Sequence, residues 1–134
     1  MVLLFVMEQR FELENQGIDQ IKQRLFSAIE AEGRILFAYL HGSFGKLPFS
    51  DIDIGAYSTI PEDEVFDFEL EMSSSLQIVS GYPVDFKVIN YAPTGFQFSV
   101  LNEGVLLFER DGATRLDFVE DIGMKFRYLN DSFI

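Results

Sequence analysis

Asp51 and Asp53 stand one residue apart in Ser50-Asp51-Ile52-Asp53-Ile54, and that spacing has a chemical meaning. In a β-strand side chains alternate faces, so the two carboxylates share one face while Ile52 and Ile54 point into a core. Adjacent carboxylates repel, and ionising both is costly unless a cation lies between them. The pair therefore reads as a divalent-metal site for phosphoryl or nucleotidyl transfer. The plainer alternative is a solvated strand face, since carboxylates are mostly exposed. A third acid, Asp85, lies in Pro83-Val84-Asp85-Phe86-Lys87-Val88, flanked by apolar residues. An unpaired charge buried there would cost several kcal/mol, on the order set by desolvation, so it needs a hydrogen-bonding partner or a metal. The exposed face of an edge strand is the alternative. If the two strands pair, all three carboxylates converge at one end of a sheet. Three oxygen donors with open positions suit Mg²⁺, which keeps several waters and binds substrate phosphates. In a two-metal arrangement one ion holds the nucleotide phosphates and the other activates the attacking hydroxyl.

Gly42 and Ser43 precede this element. Glycine lets backbone approach a phosphate closely, and a serine hydroxyl with nearby N–H groups can donate to its oxygens. A Gly-Ser pair alone is an ordinary turn; its place between a buried strand and an Asp-x-Asp strand gives it meaning. Lys46 offers a positive charge for a phosphate, or is a solvated loop lysine. His41, the only histidine, reads as a packing or hydrogen-bonding residue rather than a catalytic base, although its ordinary pKa suits either role.

The elements that must position these groups alternate along the chain. Ile18, Ile21, Leu25, Ala28 and Ile29 follow helical spacing, with Gly33 as a stop signal. Ile35 to Leu40 predicts a buried strand leading into Gly42, and Ile52 to Tyr57 the next one. Pro61 and Glu62-Asp63-Glu64 introduce a helix carrying Val65, Phe68 and Met72, the acids complementing its dipole. Beyond Ser73-Ser74-Ser75, Gly81-Tyr82-Pro83 reads as a turn before a strand from Val84 to Ile89. A short helix from Pro93 and Thr94 to about Asn102, a strand from Val105 to Phe108, and an amphipathic helix over roughly Arg115 to Asn130 complete the chain. Leu116, Val119, Ile122, Phe126 and Leu129 are available to pack the last helix. Alternation of this kind predicts an α/β domain built on one sheet.

The 134 residues suit a single domain with a real core, and 48% apolar residues with 15 phenylalanines exclude a disordered chain. No cysteine is present, which excludes disulfides and thiolate metal sites and suits a reducing, cytoplasmic home. A net charge of −12 argues against duplex nucleic acid as partner and suits divalent cations or a basic protein. The apolar opening Val2 to Met7 is too short to span a bilayer and lacks the basic flank of a signal peptide. It reads as an extra strand, a dimer contact or residue from a misassigned start codon; a homo-oligomer through it or the Phe-rich last helix is an alternative to core packing.

Gly42-Ser43, then Ser50-Asp51-Ile52-Asp53, then Val84-Asp85-Phe86 on a later strand resemble the polymerase-β-type nucleotidyltransferase superfamily, and most closely its minimal nucleotidyltransferases. The segment Leu101-Asn102-Glu103-Gly104-Val105-Leu106-Leu107-Phe108-Glu109-Arg110-Asp111 is similar to the stretch after the third aspartate in that group. The resemblance covers about residues 18 to 130, leaving the first dozen as an added segment. It implies a mixed sheet with helices packed on it, an α/β (α+β) fold. It implies Asp51, Asp53 and Asp85 as catalytic metal ligands for Mg²⁺. The nucleotide-phosphate turn would be Gly42 and Ser43, with Lys46 and Ser50 also on the nucleotide side and ATP as substrate. It also implies a helical partner of the HEPN type in a toxin–antitoxin module, with AMP moved from ATP to a tyrosine of the toxin. One departure is plain: the family's longer loop with Ala-Arg-Gly is replaced by the seven residues Phe44 to Ser50, without arginine. Lys46 stands in its neighbourhood but lacks the planar fork that arginine offers to phosphate. A catalytically weak or inactive subunit that neutralises a partner through its acidic surface is therefore the alternative. A transferase acting on a small molecule comes third, because 134 residues leave little room for a substrate domain.

Overall fold

The computed structural model describes residues 10–45 and 48–132. Helix α1 (Asn15–Ala31) is followed by β1 (Ile35–His41), β2 (Ile52–Ser58), a 3₁₀ turn (Glu62–Glu64), α2 (Val65–Ser80), β3 (Val84–Val88), α3 (Thr94–Glu103), β4 (Val105–Glu109) and α4 (Gly112–Ser132). The strands form one mixed sheet in the order β3-β2-β1-β4. β1 runs antiparallel to both β2 and β4, while β2 and β3 are parallel. Parallel pairing needs a long crossover, and α2 supplies it. The expected mixed α/β fold is the observed one.

The alternation of side chains on β1 and β2 divides the interior in two. Ile35, Ala38, Leu40, Ile52, Ile54 and Ala56 pack under α1 and α2, joined there by Ile21, Leu25, Ile29, Phe68, Met72 and Leu76. Phe37 and Tyr39 face the other way and meet Ile89 and Val100, with Phe96 of α3 and Phe118 of α4 against them. Both layers are covered by helices, which is why β1 and β2 read as nearly continuous apolar runs.

The acid-rich helix reaches the expected turn at Gly81. It runs through Ser73-Ser74-Ser75 to Ser80, because Leu76 and Ser80 extend the buried stripe of Phe68 and Met72. Gly81, at φ +81°, closes it in the left-handed conformation, its N–H bonded to the Gln77 carbonyl at 2.8 Å. The last helix starts three residues before Arg115, at Gly112. Asp111 accepts a hydrogen bond from the Thr114 N–H at 3.0 Å, satisfying a free donor of the first turn. That contact also holds the Asp111 carboxyl below its usual range. Ile122 is buried as expected and Phe126 stacks on Phe98 at 3.7 Å, but Leu116 is 59% exposed. The Leu129 side chain, the apolar run Val2 to Met7 and Lys46 lie outside the described residues.

Arg110 ties the end of α1 to the sheet. Its guanidinium donates to the carbonyls of Ile35 at 3.0 Å and Glu30 at 2.7 Å and lies over the Phe108 ring at 4.9 Å. The carbonyls at a helix C-terminus lack intrahelical donors, so this cation meets both the orphan oxygens and the negative end of the dipole. Arg110→Ala is expected to destabilise the fold by about 2 kcal/mol, the scale for charged hydrogen bonds. Thermal unfolding checks this; an unchanged midpoint would reduce the contact to decoration.

Candidate active site

The register of the sheet places the chemistry. His41 at the end of β1 is the Cα partner of Asp53 on β2, and Asp53 is the partner of Asp85 on β3. One row across three strands thus reads His41, Asp53, Asp85, and Asp51 stands in the bend just before β2, close enough for its charge to act on Asp53. The row lies on the face covered by α3 and α4, opposite the larger core. Two features let α3 approach. A Cβ on Gly55 would come within 2.9 Å of Val100 Cγ1, so the missing side chain makes room for the helix. Phe96, on the same helix, sets its ring edge-on to His41 at 5.8 Å.

Gly42 follows at φ +74°, and a Cβ there would collide with Asp53 Oδ2. Only glycine lets the turn fold over that carboxylate. Ser43 comes next, half-buried, and Phe44 pins the turn from below: its ring meets Phe49 edge-on at 4.9 Å. Phe49 in turn exchanges two backbone hydrogen bonds with Phe11 at 2.7 and 3.0 Å. Tyr82, just before β3, closes this cluster against Phe11 and Phe49. These aromatic residues anchor both ends of the short loop. The sequence carried a signal for them, its phenylalanine-rich loop, but nothing in it showed that they meet.

Asp53 is the most perturbed of the three acids. Burial, then the negative charges of Asp51 and Asp85, push its carboxyl up to about 6. The His41 imidazole is pushed down, chiefly by burial and against the pull of Asp85, Glu103 and Asp51. Its Nε2 is buried without a hydrogen-bond partner among the described residues, in keeping with a neutral packing group more than a base. Asp85 occupies the exposed face of an edge strand, its side chain 49% exposed and 3.7 Å from Lys87 Nζ. The strand alternates buried and exposed residues instead of being wholly apolar, so Asp85 pays no burial penalty and remains open to solvent. Its position is held from α2: Ser73 Oγ accepts the Phe86 N–H at 3.1 Å and Glu69 Oε2 the Val88 N–H at 2.8 Å. Those bonds also blunt the free edge of β3.

The structure therefore brings Asp51, Asp53, Asp85, Gly42 and Ser43 to one end of the sheet, with Ser50 half-buried in the bend just before β2. Among the described residues, no three acids or histidines are gathered closely enough to enclose a metal ion by themselves. The donors nonetheless suit Mg²⁺ in kind. They are hard carboxylate oxygens, and Asp53, raised first by burial and then by the charges of Asp51 and Asp85, is a group whose ionised form a cation would favour. Mg²⁺ is commonly held by one or two carboxylates with waters and substrate phosphates completing its shell. No helix among the described residues is long and apolar enough to cross a membrane.

Comparison with known proteins bears on the fold and the family. No curated sequence gives a significant match. The fold is similar to that of the MNT antitoxin in complex with the tri-AMPylated HEPN toxin of Shewanella oneidensis, with a TM-score of 0.70 and 18% identity over 86% of this chain and 91% of that one. It is similar too to a chain of the toxin–antitoxin pair MntA–HepT (TM-score 0.63, 19% identity, 89% and 92% covered). A toxin–antitoxin structure with AMP-PNP gives a TM-score of 0.65 at 20% identity, covering 90% of this chain and 92% of that one. At such identities the likeness speaks for the fold. The sequence itself speaks for the lineage: residues 23–113, more than half of the chain and including all three aspartates, match the family described as Polymerase beta, Nucleotidyltransferase, and the chain belongs to it.

Proposed function

We propose that the protein is a Mg²⁺-dependent nucleotidyltransferase that moves AMP from ATP onto a tyrosine hydroxyl of a HEPN-type toxin, acting as its antitoxin in the cytoplasm. The observation that carries this reading is the row of Asp53 and Asp85 in register, with Asp51 beside them and the Gly42 turn folded over Asp53. The complexes similar in fold add support, one holding a tri-AMPylated HEPN toxin and one AMP-PNP.

In this reading Asp51, Asp53 and Asp85 hold the metal. When bound, Mg²⁺ offsets the charge of the carboxylates and of the nucleotide phosphates, which otherwise repel one another. The Gly42-Ser43 turn, with Lys46 and Ser50, binds the phosphates through backbone N–H, hydroxyl and ammonium donors. Asp85, open to solvent on its edge strand, takes the proton of the incoming tyrosine hydroxyl. The tyrosine oxygen bonds to the α-phosphorus, the bond from that phosphorus to the bridging oxygen breaks, and pyrophosphate leaves.

Calorimetric titration of ATP with and without Mg²⁺ tests the site. Binding is expected only with the metal, and at least ~10-fold weaker in Asp51→Asn, which loses one charged ligand. Metal-independent binding of equal strength in both proteins would sink the assignment. The second reading, a non-catalytic neutralising subunit, draws on the short loop Phe44 to Ser50, which lacks arginine, and on the net charge of −12. It predicts that Asp51→Asn/Asp53→Asn still protects cells from the toxin.

A further inference from the structure

Helix α2 buries Phe68, Met72, Leu76 and Ser80 and turns a second apolar row outward. Phe66 is 70% exposed, Leu70 55% and Ile78 83%. Phe66 and Leu70 lie one turn apart, and Ile78 follows about 12 Å further along and about 80° round the axis, so the row winds across the outward half of the helix. Single exposed apolar side chains are commonplace, but three large ones on the outward half of one helix are a feature of the kind that marks a protein contact.

Its rim identifies what can cover it. Asp67 and Glu71 are exposed on its flank, Glu62, Asp63 and Glu64 lie at its start, and no lysine or arginine occurs from Glu62 to Ser80; Arg34, over the Phe68 ring at 5.0 Å and near Glu64 and Glu71, is itself paired with Glu32. A second copy docking through the same face would set these acids against their own counterparts, a repulsion that disfavours self-association. A helix with an apolar stripe flanked by lysine or arginine meets both the stripe and the rim. The patch also lies across the sheet from the carboxylates, since α2 packs on the large core while Asp53 faces α3.

We propose that this outer face of α2 is the docking surface for the toxin, through a basic amphipathic helix of that partner, so that docking and AMP transfer use opposite sides of the sheet. The partner's identity rests on the function proposed above.

The test is calorimetric binding of the full chain to a purified HEPN-type toxin. Phe66→Ser/Ile78→Ser is expected to weaken the complex by ~100-fold or more, the scale of interface anchors. Asp67→Lys/Glu71→Lys should weaken it about 10-fold and flatten its dependence on salt. Both variants should melt like wild type and keep Mg²⁺-dependent ATP binding, because the altered side chains are exposed and remote from the carboxylates. Asp53→Asn should bind the toxin undiminished. Variants of α2 that bind the toxin like wild type would overturn the docking surface and leave the proposed function standing. Wild type that binds ATP but no toxin would remove the partner and the docking surface together. A wild-type dimer that Phe66→Ser/Ile78→Ser converts to monomer would make a second copy the occupant and overturn the proposal. So would a chain lacking residues 1–9 that gains binding of an apolar dye, lost again on adding Phe66→Ser/Ile78→Ser, for then the segment itself covers the stripe.

Discussion

Asp53→Asn is expected to abolish AMP transfer, by at least ~1000-fold on the scale of lost charge stabilisation, while making the metal-free protein more stable at pH 8. The second half follows from linkage. The Asp53 carboxyl titrates near 6 in the fold, above its ordinary value of 3.8. Between those values the native state holds more protons than the unfolded chain, so stability falls as pH rises from about 4 to about 6. Above that window the whole penalty is present. Two pH units correspond to about 3 kcal/mol, an upper bound because the carboxylate retains some contact with water. Asparagine carries no charge and escapes the penalty. Thermal melts in EDTA should therefore show the variant above wild type by about 1–3 kcal/mol at pH 8 and level with it at pH 4. Added Mg²⁺ should raise the wild-type midpoint at pH 8 and leave the variant unmoved. A variant less stable than wild type at pH 8 would mean that Asp53 is a structural ion, and the negative cluster would lose its link to a cation.

Gly42→Ala should also impair function, and its cause is steric. At φ +74° an alanine is strained by about 1–2 kcal/mol, and its Cβ would also strike Asp53 Oδ2. Either the turn or the carboxylate must move, and both belong to the proposed nucleotide site. Mg²⁺-dependent ATP binding is expected to fall ~10-fold or more, since misplacing a positioning group by about 1 Å can cost 100-fold in rate. Gly45 supplies the control. It too has positive φ, +85°, but a Cβ there would make only ordinary contacts, at 3.7 Å to Ile18 and 3.8 Å to Lys22. Gly45→Ala should lower the melting temperature by a similar strain and leave ATP binding intact. Equal losses of binding in the two variants would show general damage to the loop and remove the specific role of Gly42.

Much of this protein was legible from one dimension. The period of two in Ile52-Asp53-Ile54 set Asp53 on the face opposite the two isoleucines, and the buried helical rows of α1 and of Phe68 and Met72 followed from their spacing, because local backbone geometry sets both periods. Membership of the nucleotidyltransferase family was carried by short motifs whose residues are close in sequence. The C-terminal end of α2 was set by Leu76 and Ser80 meeting the core, and its stop by Gly81. The earlier start of α4 had a local sign, Asp111 as its cap, that periodicity passed over.

Only the tertiary structure decided how distant segments met. The parallel register set Asp85 beside Asp53 although 31 intervening residues separate them, and it made β3 an edge, so that Asp85 faces solvent while Val84 and Phe86 are buried. The charge repulsion at Asp53, the collision forbidden at Gly42 and the aromatic anchor of Phe11, Phe44, Phe49 and Tyr82 all depend on that assembly. The sequence by itself determined which residue types could do the chemistry and on which face of its own strand each lay. Packing determined which of them share a space, because burial and proximity are properties of neighbours that the chain brings together only when it folds.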